Sequence, residues 1–326
     1  MKEIRARRLR ESKNIRKLTR ETRISADSLV LPIFIKEGKS IKEEIKALGG
    51  HYYYSPDNVP FIIEEALSHG VTSVLLFGIP KEKDDLGNGA YAENGVVQQG
   101  IKAIKSRFPE MMVITDVCLC EYTANGHCGM VNGNKVLNDE TLPYLAKTAL
   151  SHIIAGADMV APSDMMDFRV RAIRETLDQN GFSDKPIMSY AAKYASSYYG
   201  PFRDVVGSTP AFGDRKTYQM DYHNVREAVK EALLDVDEGA DILMVKPAGS
   251  YLDIIKEVKI NTNIPLAAYS VSGEYGMIKA AAKAGLINEY NVMCESAVAI
   301  YRAGADILIT YYAKELSNAI KKGDIG

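Results

Sequence analysis

A closed (β/α)8 TIM-type barrel of the α/β class, preceded by an extended N-terminal arm, is the fold this sequence predicts. Three observations carry the prediction. Short runs rich in Val, Ile and Leu recur about eight times, each followed by an amphipathic stretch. The runs are continuously apolar and do not alternate, as expected of parallel strands covered on both faces. No glycine-rich GxGxxG turn follows the first run, which makes a doubly wound nucleotide-binding sheet the weaker alternative.

The first element is the arm, residues 1–28. Its opening, "MKEIRARRLRESKNIRKLTRETR", is basic, but Glu3, Glu11 and Glu21 interrupt the charge and no aromatics punctuate it. That composition suits an extension packing on a neighbouring subunit better than a nucleic-acid arm. The barrel is expected over 29–326. Its strands fall at Leu29–Ile35, Ser73–Ile79, Met111–Val117, Ala157–Ser163, Pro186–Ala192, Ala240–Lys246, Pro265–Val271 and Ala305–Tyr312. Stretches such as "NVPFIIEEALSHG" and "NVREAVKEALLDVDEGA" supply the helices between them. "GAD" recurs before three strands (Gly156–Asp158, Gly239–Asp241, Gly304–Asp306) and reads as a repeated helix-to-strand turn, a matter of geometry and not of chemistry.

Composition narrows the function. A formal net charge of -2 over 326 residues argues against a general affinity for nucleic acid. No apolar run approaches the ~20 residues of a membrane span. The N-terminus has no apolar core for a secretion signal, so a cytoplasmic address with reduced thiols is expected.

In that setting the stretch "DVCLCEYTANGHCG" is notable, because it holds three of the four cysteines. A redox pair would read Cys-x-x-Cys, whereas Cys118, Cys120 and Cys128 are spaced Cys-x-Cys-x7-Cys. The spacing points to zinc held by three thiolates. The fourth position is either open to water and substrate or closed by His127, and spacing alone supports both. Cys294 lies in a helical stretch and reads as a small buried apolar residue.

Barrel enzymes gather reactive groups at the C-terminal ends of their strands. Here those ends carry Asp116, Ser163 and Asp164, Lys193, Lys246, Ser270 and Ser272, and Tyr311 and Tyr312. Two lysines in one desolvated mouth lower each other's pKa, giving a neutral amine that attacks a ketone to form a Schiff base. After Lys193 comes an unusually long segment rich in Gly, Pro and Ser, read as a lid with Arg203, Arg215 and Lys216 as its cations. Guanidinium forks match carboxylates, so a small keto acid is the expected substrate.

These residues resemble the 5-aminolevulinate dehydratase (porphobilinogen synthase) family over nearly the full length. The likeness rests on "TDVCLCEYTANGHCG", "APSDMMD", "AAKYASSYYGPFRD", "LMVKPAGSYLDI" and "AYSVSGEYGMI". It implies a lyase, a (β/α)8 barrel whose arm wraps a neighbour in a homo-octamer, and condensation of two 5-aminolevulinate molecules to porphobilinogen, an early step of tetrapyrrole and haem biosynthesis. It further implies that Lys246 forms the Schiff base, with Lys193 doing likewise or acting as acid/base at the second site. Cys118, Cys120 and Cys128 would hold zinc with a position left open. Arg203, Arg215 and Gln219 would bind the second substrate's carboxylate, and Ser272 and Tyr311 the first's. Asp116 and Ser163 would be polar neighbours, and Glu231 would ligate an allosteric magnesium. The chain departs from the family pattern at Asn125 (usually histidine), at Phe168 and Arg171 (usually glycines) and at Tyr222-His223 (usually Pro-Ala). A Schiff-base aldolase leaves the cysteines unexplained, and a zinc or nucleic-acid module leaves the lysines unexplained.

Overall fold

The computed structural model describes residues 3–326. Eight parallel strands carry it: β1 Leu29–Lys36, β2 Ser73–Ile79, β3 Met112–Val117, β4 Met159–Pro162, β5 Met188–Lys193, β6 Ile242–Lys246, β7 Leu266–Ser270 and β8 Ile307–Thr310. Their lateral order is β4-β3-β2-β1-β8-β7-β6-β5. The two ends of that order meet through a single parallel bridge, Val160 to Ile187, so the barrel is nearly closed. All eight predicted strands form, with ends that move by at most two residues.

Continuous apolar strands form a barrel because each is covered twice, by interior side chains and by an outer ring of helices. Leu29, Val30, Leu31, Leu75, Leu76, Val113, Val160, Leu243, Ala267 and Leu308 are buried accordingly. The ring consists of Val59–Ser68, Val96–Arg107, Asn138–Ala155, Arg169–Gln179, Arg226–Asp237, Leu252–Asn261, the pair Ser272–Lys283 and Glu289–Ala303, and Ala313–Lys321. Among the described residues, no helix is long and apolar enough to cross a membrane.

The "GAD" repeats work as the sequence suggested. Gly156, Gly239 and Gly304 have φ of 109°, 104° and 128°, which turns the chain from helix to strand. The following aspartates then clamp the start of the preceding strand. Asp158 Oδ2 accepts from Val113 N at 2.7 Å, Asp241 Oδ2 from Ile187 N at 2.8 Å, and Asp306 Oδ2 from Leu266 N at 2.8 Å.

Two hairpins, Lys42–Glu44 with Tyr52–Tyr54 and Met130–Asn132 with Lys135–Leu137, decorate the barrel without a sequence signal strong enough to predict them. The segment after β5 also holds a short helix, Gly200–Val206, and the next barrel helix starts at Arg226, shortly after Asp221. Asp221 holds the chain in a turn there, its carboxylate accepting from His223 N at 3.0 Å. Ahead of β1, residues 3–23 lie outside the sheet, with Ile4 and Leu18 exposed. The helix Lys13–Leu18 is capped by Ser12. Arg20 ties its base to the Asp324 and Gly326 carbonyls, both at 2.9 Å.

Candidate active site

Parallel pairing brings the two lysines together: Lys193 and Lys246 are register partners at the ends of β5 and β6. Both are buried. The rings of Tyr269, Tyr190, Phe202 and Tyr199 surround the Lys246 ammonium at 4.4, 5.0, 5.1 and 5.3 Å. Aromatic faces attract a cation but replace little of its lost hydration. Burial, followed by repulsion from Lys193, pulls the Lys246 pKa down to about 7. The Lys193 ammonium instead donates to the Ser163 carbonyl.

Beside the lysines, Ser163 Oγ donates to Asp116 Oδ2 at 3.0 Å. Burial raises the Asp116 pKa to about 8, with the nearby Glu121 carboxyl adding to it. Glu121 itself is buried, accepts from Cys120 Sγ at 3.4 Å and is likewise pushed up to about 8. Sequence reading missed Glu121, Tyr190, Tyr269 and Phe202. "AAKYASSYYGPFRD", "TDVCLCEYTANGHCG" and "AYSVSGEYGMI" contain Phe202, Glu121 and Tyr269, yet only the closed barrel turns them toward one centre.

The sulfur atoms of Cys118, Cys120 and Cys128 lie within 4.8 Å of one another, with Cys118 Sγ 3.4 Å from Cys120 Sγ. Thiolates at ~2.3 Å from a tetrahedral zinc sit roughly 3.8 Å apart, so this donor set fits that ion. Hydrogen bonds from Cys118 and Cys120 hold the Cys128 thiol well below its ordinary pKa, helped by the Arg215 charge. Burial pushes the Cys118 thiol up. His127 faces away from the sulfurs. Its Nδ1 meets Tyr218 OH and its Nε2 meets the Phe212 carbonyl, both at 3.0 Å. The fourth position is therefore not filled by His127.

The segment 194–220 covers this mouth. Phe77, Cys120, Glu121, Ser163 and the two lysines line one nearly filled cavity of about 10 Å³, with Tyr199, Phe202, Arg203 and Arg215 from the cover. A larger open groove of about 520 Å³ runs alongside, lined by His127, Asp167, Phe212 and Tyr218, but neither lysine reaches it. The chemistry belongs to the smaller space. Arg215 is buried and donates to the Gly126 and Ser208 carbonyls at 2.9 and 2.6 Å. Arg203 is half-buried, with its pKa lowered by burial and by Arg215. Gln219 is buried with both amide atoms unpaired, an arrangement that awaits a polar ligand. Lys216, in contrast, is exposed and paired with Asp214 at 3.2 Å.

Ser272 Oγ accepts from Phe202 N at 3.0 Å and so joins the helix after β7 to the cover. Tyr311 is buried, and its hydroxyl meets Tyr269 OH at 3.3 Å. Tyr312 points elsewhere, donating to Glu289 at 3.2 Å. Glu231 stands apart from the lysines and cysteines, in a groove with Asp167, Asp221 and Glu227. Burial raises its pKa.

The departures from the family pattern have local explanations. Asn125 Oδ1 accepts from His127 N at 2.8 Å and builds the turn within the cysteine loop. Phe168 sits at φ 66°, where glycine is at ease, and the Arg171 guanidinium covers its ring at 5.2 Å. The two non-glycine residues thus touch each other. Tyr222 and His223 are exposed and stack at 4.4 Å.

A barrel whose enclosed mouth gathers two amines among carboxyl and guanidinium groups defines the class, an α/β-barrel lyase. The model of the family described as Delta-aminolevulinic acid dehydratase matches residues 3–319, and the chain belongs to that family. A delta-aminolevulinic acid dehydratase of Methanothermus sociabilis is 55% identical over 97% of this chain and 98% of its own. One from Halalkalibacterium halodurans is 52% identical over 96% and 95%. The crystal structure of the Toxoplasma gondii enzyme, in complex with its reaction product porphobilinogen, superposes with a TM-score of 0.95. It is 42% identical and covers 97% of this chain and 91% of that one.

Proposed function

We propose that this chain condenses two molecules of 5-aminolevulinate to porphobilinogen, with loss of two waters, through lysine Schiff-base chemistry assisted by zinc. The observation that carries the reading is Lys246, a lysine held near neutrality beside a second amine in a sealed aromatic cavity. Its unprotonated Nζ adds to the ketone carbon of one substrate. Loss of the carbonyl oxygen as water leaves the imine. Ser163 fixes the neighbouring groups, since its hydroxyl holds Asp116 and its carbonyl holds Lys193. Lys193 then serves the second substrate as imine former or as acid/base.

Arg203, Arg215 and the unpaired Gln219 amide would receive the second substrate's carboxylate, and Ser272 and Tyr311 the first's. Cys118, Cys120 and Cys128 would hold zinc, which supplies a Lewis acid to a water or to the second substrate. The cover excludes water, which protects the imine from premature hydrolysis.

The same reading extends to assembly and address. The arm, residues 1–28, would wrap a neighbouring barrel in a homo-octamer in the cytoplasm, with the barrel spanning 29–326. The acidic groove of Asp167, Asp221, Glu227 and Glu231 has the oxygen donors that magnesium takes, and Glu231 would ligate it as an allosteric ion. Nucleic acid and membrane are not among the partners. The test is incubation of purified protein with 5-aminolevulinate and detection of a pyrrole product by colour reaction and mass. Absence of pyrrole from metal-replete, folded protein would refute the reading.

A further inference from the structure

The last turn of the covering helix Gly200–Val206 is held in an unusual way. Four consecutive carbonyls, from Val205 to Ser208, are each taken by a side-chain donor from elsewhere. Tyr53 OH donates to Val205 O at 2.7 Å. The Lys83 ammonium donates to Val206 O at 3.1 Å and to Gly207 O at 2.7 Å. Arg215 donates to Ser208 O at 2.6 Å. A helix end leaves such carbonyls without intrahelical partners and carries a partial negative charge, so cationic donors are favoured there. Gly207, at φ 57°, turns these carbonyls outward toward Lys83.

Lys83 lies in the charged run "PKEKDD" after β2. It is half-buried, and the acidic Glu121 and Cys120 of the metal loop are close enough to act on its charge. Beyond the latch, the cover is laced to that same loop. Ala211 N donates to Asn125 O at 2.9 Å, and Arg215 bridges Gly126 O and Ser208 O.

We infer that Lys83 is a positioning residue, a latch that keeps the cover closed over the cavity and thereby presents Arg203 and Arg215 to the substrate carboxylate. Lys83 touches no reacting atom. It acts through the closed population of the cover, and a binding site present in only part of the population binds proportionally more weakly. The kinetic part of the inference rests on the carboxylate role proposed for Arg203 and Arg215. The latch itself does not.

The test uses the full-length, metal-replete protein. Lys83→Met keeps the apolar stem and removes the donor. Amide hydrogen exchange read by mass spectrometry is expected to quicken on the order of tenfold across residues 200–213, with the barrel strands unchanged. Tyr53→Phe, which removes only the hydroxyl on Val205 O, gives a smaller change in the same direction. Lys83→Arg restores protection, because a guanidinium also offers several donors. With 5-aminolevulinate as substrate, Lys83→Met raises KM on the order of tenfold while kcat at saturation stays within about twofold. Unchanged exchange over 200–213 in Lys83→Met overturns the latch. Faster exchange with an unaltered KM keeps the latch and removes the carboxylate role from Arg203 and Arg215.

Discussion

Lys193 and Lys246 are register partners on adjacent strands, yet only Lys193 rests on a backbone carbonyl, that of Ser163, while Lys246 stands in a ring of four aromatic side chains. Lys193 thus keeps a hydrogen-bond partner, whereas the rings around Lys246 replace little of its lost hydration.

Lys246, with a pKa near 7 against an ordinary 10.5, is about half neutral at physiological pH. The rate at which borohydride traps 5-aminolevulinate on Lys246 should therefore climb through pH 7 and level off above it. Lys246→Met and Lys246→Arg should each lose at least about 10³-fold in turnover, since neither side chain forms an imine. Mass spectrometry of the trapped protein locates the adduct. Turnover without an adduct on either lysine would remove the Schiff base from the mechanism.

The same burial carries a stability cost. The unfolded lysine holds its proton up to about 10.5 and the folded one only to about 7, so folding is penalised fully below pH 7 and regains that stability as pH rises toward 10.5. Lys246→Met should accordingly be more stable than the parent by roughly 2–4 kcal/mol at pH 6. The gain should fade at high pH. Urea titrations at pH 6 and pH 10 measure both.

Zinc bound through sulfur is expected in the purified protein, and a strong chelator should abolish activity while far-ultraviolet circular dichroism stays that of the folded barrel. Cys118→Ala, Cys120→Ala and Cys128→Ala should each lower zinc content by elemental analysis. Full activity after verified metal removal contradicts this.

Arg169 and Asp235 form a bidentate pair at 2.9 and 3.0 Å with both side chains almost wholly buried. Arg169 also donates to Ser189 Oγ and the Tyr190 carbonyl, on the strand that carries Lys193. Asp235→Ala leaves a buried guanidinium without its counter-charge and should cost about 3–5 kcal/mol in urea unfolding.

Phe168→Gly should stabilise the fold by roughly 0.5–1 kcal/mol, because it removes a side chain from a positive-φ position and exposes little new surface. Thermal unfolding reads the sign. Activity should be unaltered, since Phe168 does not line the catalytic cavity.

The barrel was legible from sequence because its strands are uninterrupted apolar runs and its "GAD" turns recur at matching places. Lysines and cysteines were legible too, since strand ends and close thiol spacing are local features. Glu121, Tyr190 and Tyr269 were not. Each is an ordinary residue in its own segment, and it acquires a role only when another strand brings a lysine or a sulfur against it. Lys83 illustrates the same limit: its partners lie more than a hundred positions away, at Val206 and Gly207. The helix Gly200–Val206 escaped notice because glycine and proline at its start read as loop.

The nearly closed barrel has a mechanical consequence. Seven neighbouring strand pairs share ladders, one of which, β5–β6, slips register between Leu243 and Val245, whereas β4 and β5 meet at one bridge, Val160 to Ile187. Above that thin joint, Lys193 on the β5 side reaches across to the Ser163 carbonyl on the β4 side. The two amines are thus mounted differently, Lys246 on a strand flanked by two ladders and Lys193 beside the single bridge. A mouth of this kind would widen first on the β4–β5 side, so in the proposed reaction a growing adduct would be given room at Lys193 while the Lys246 end stays in place.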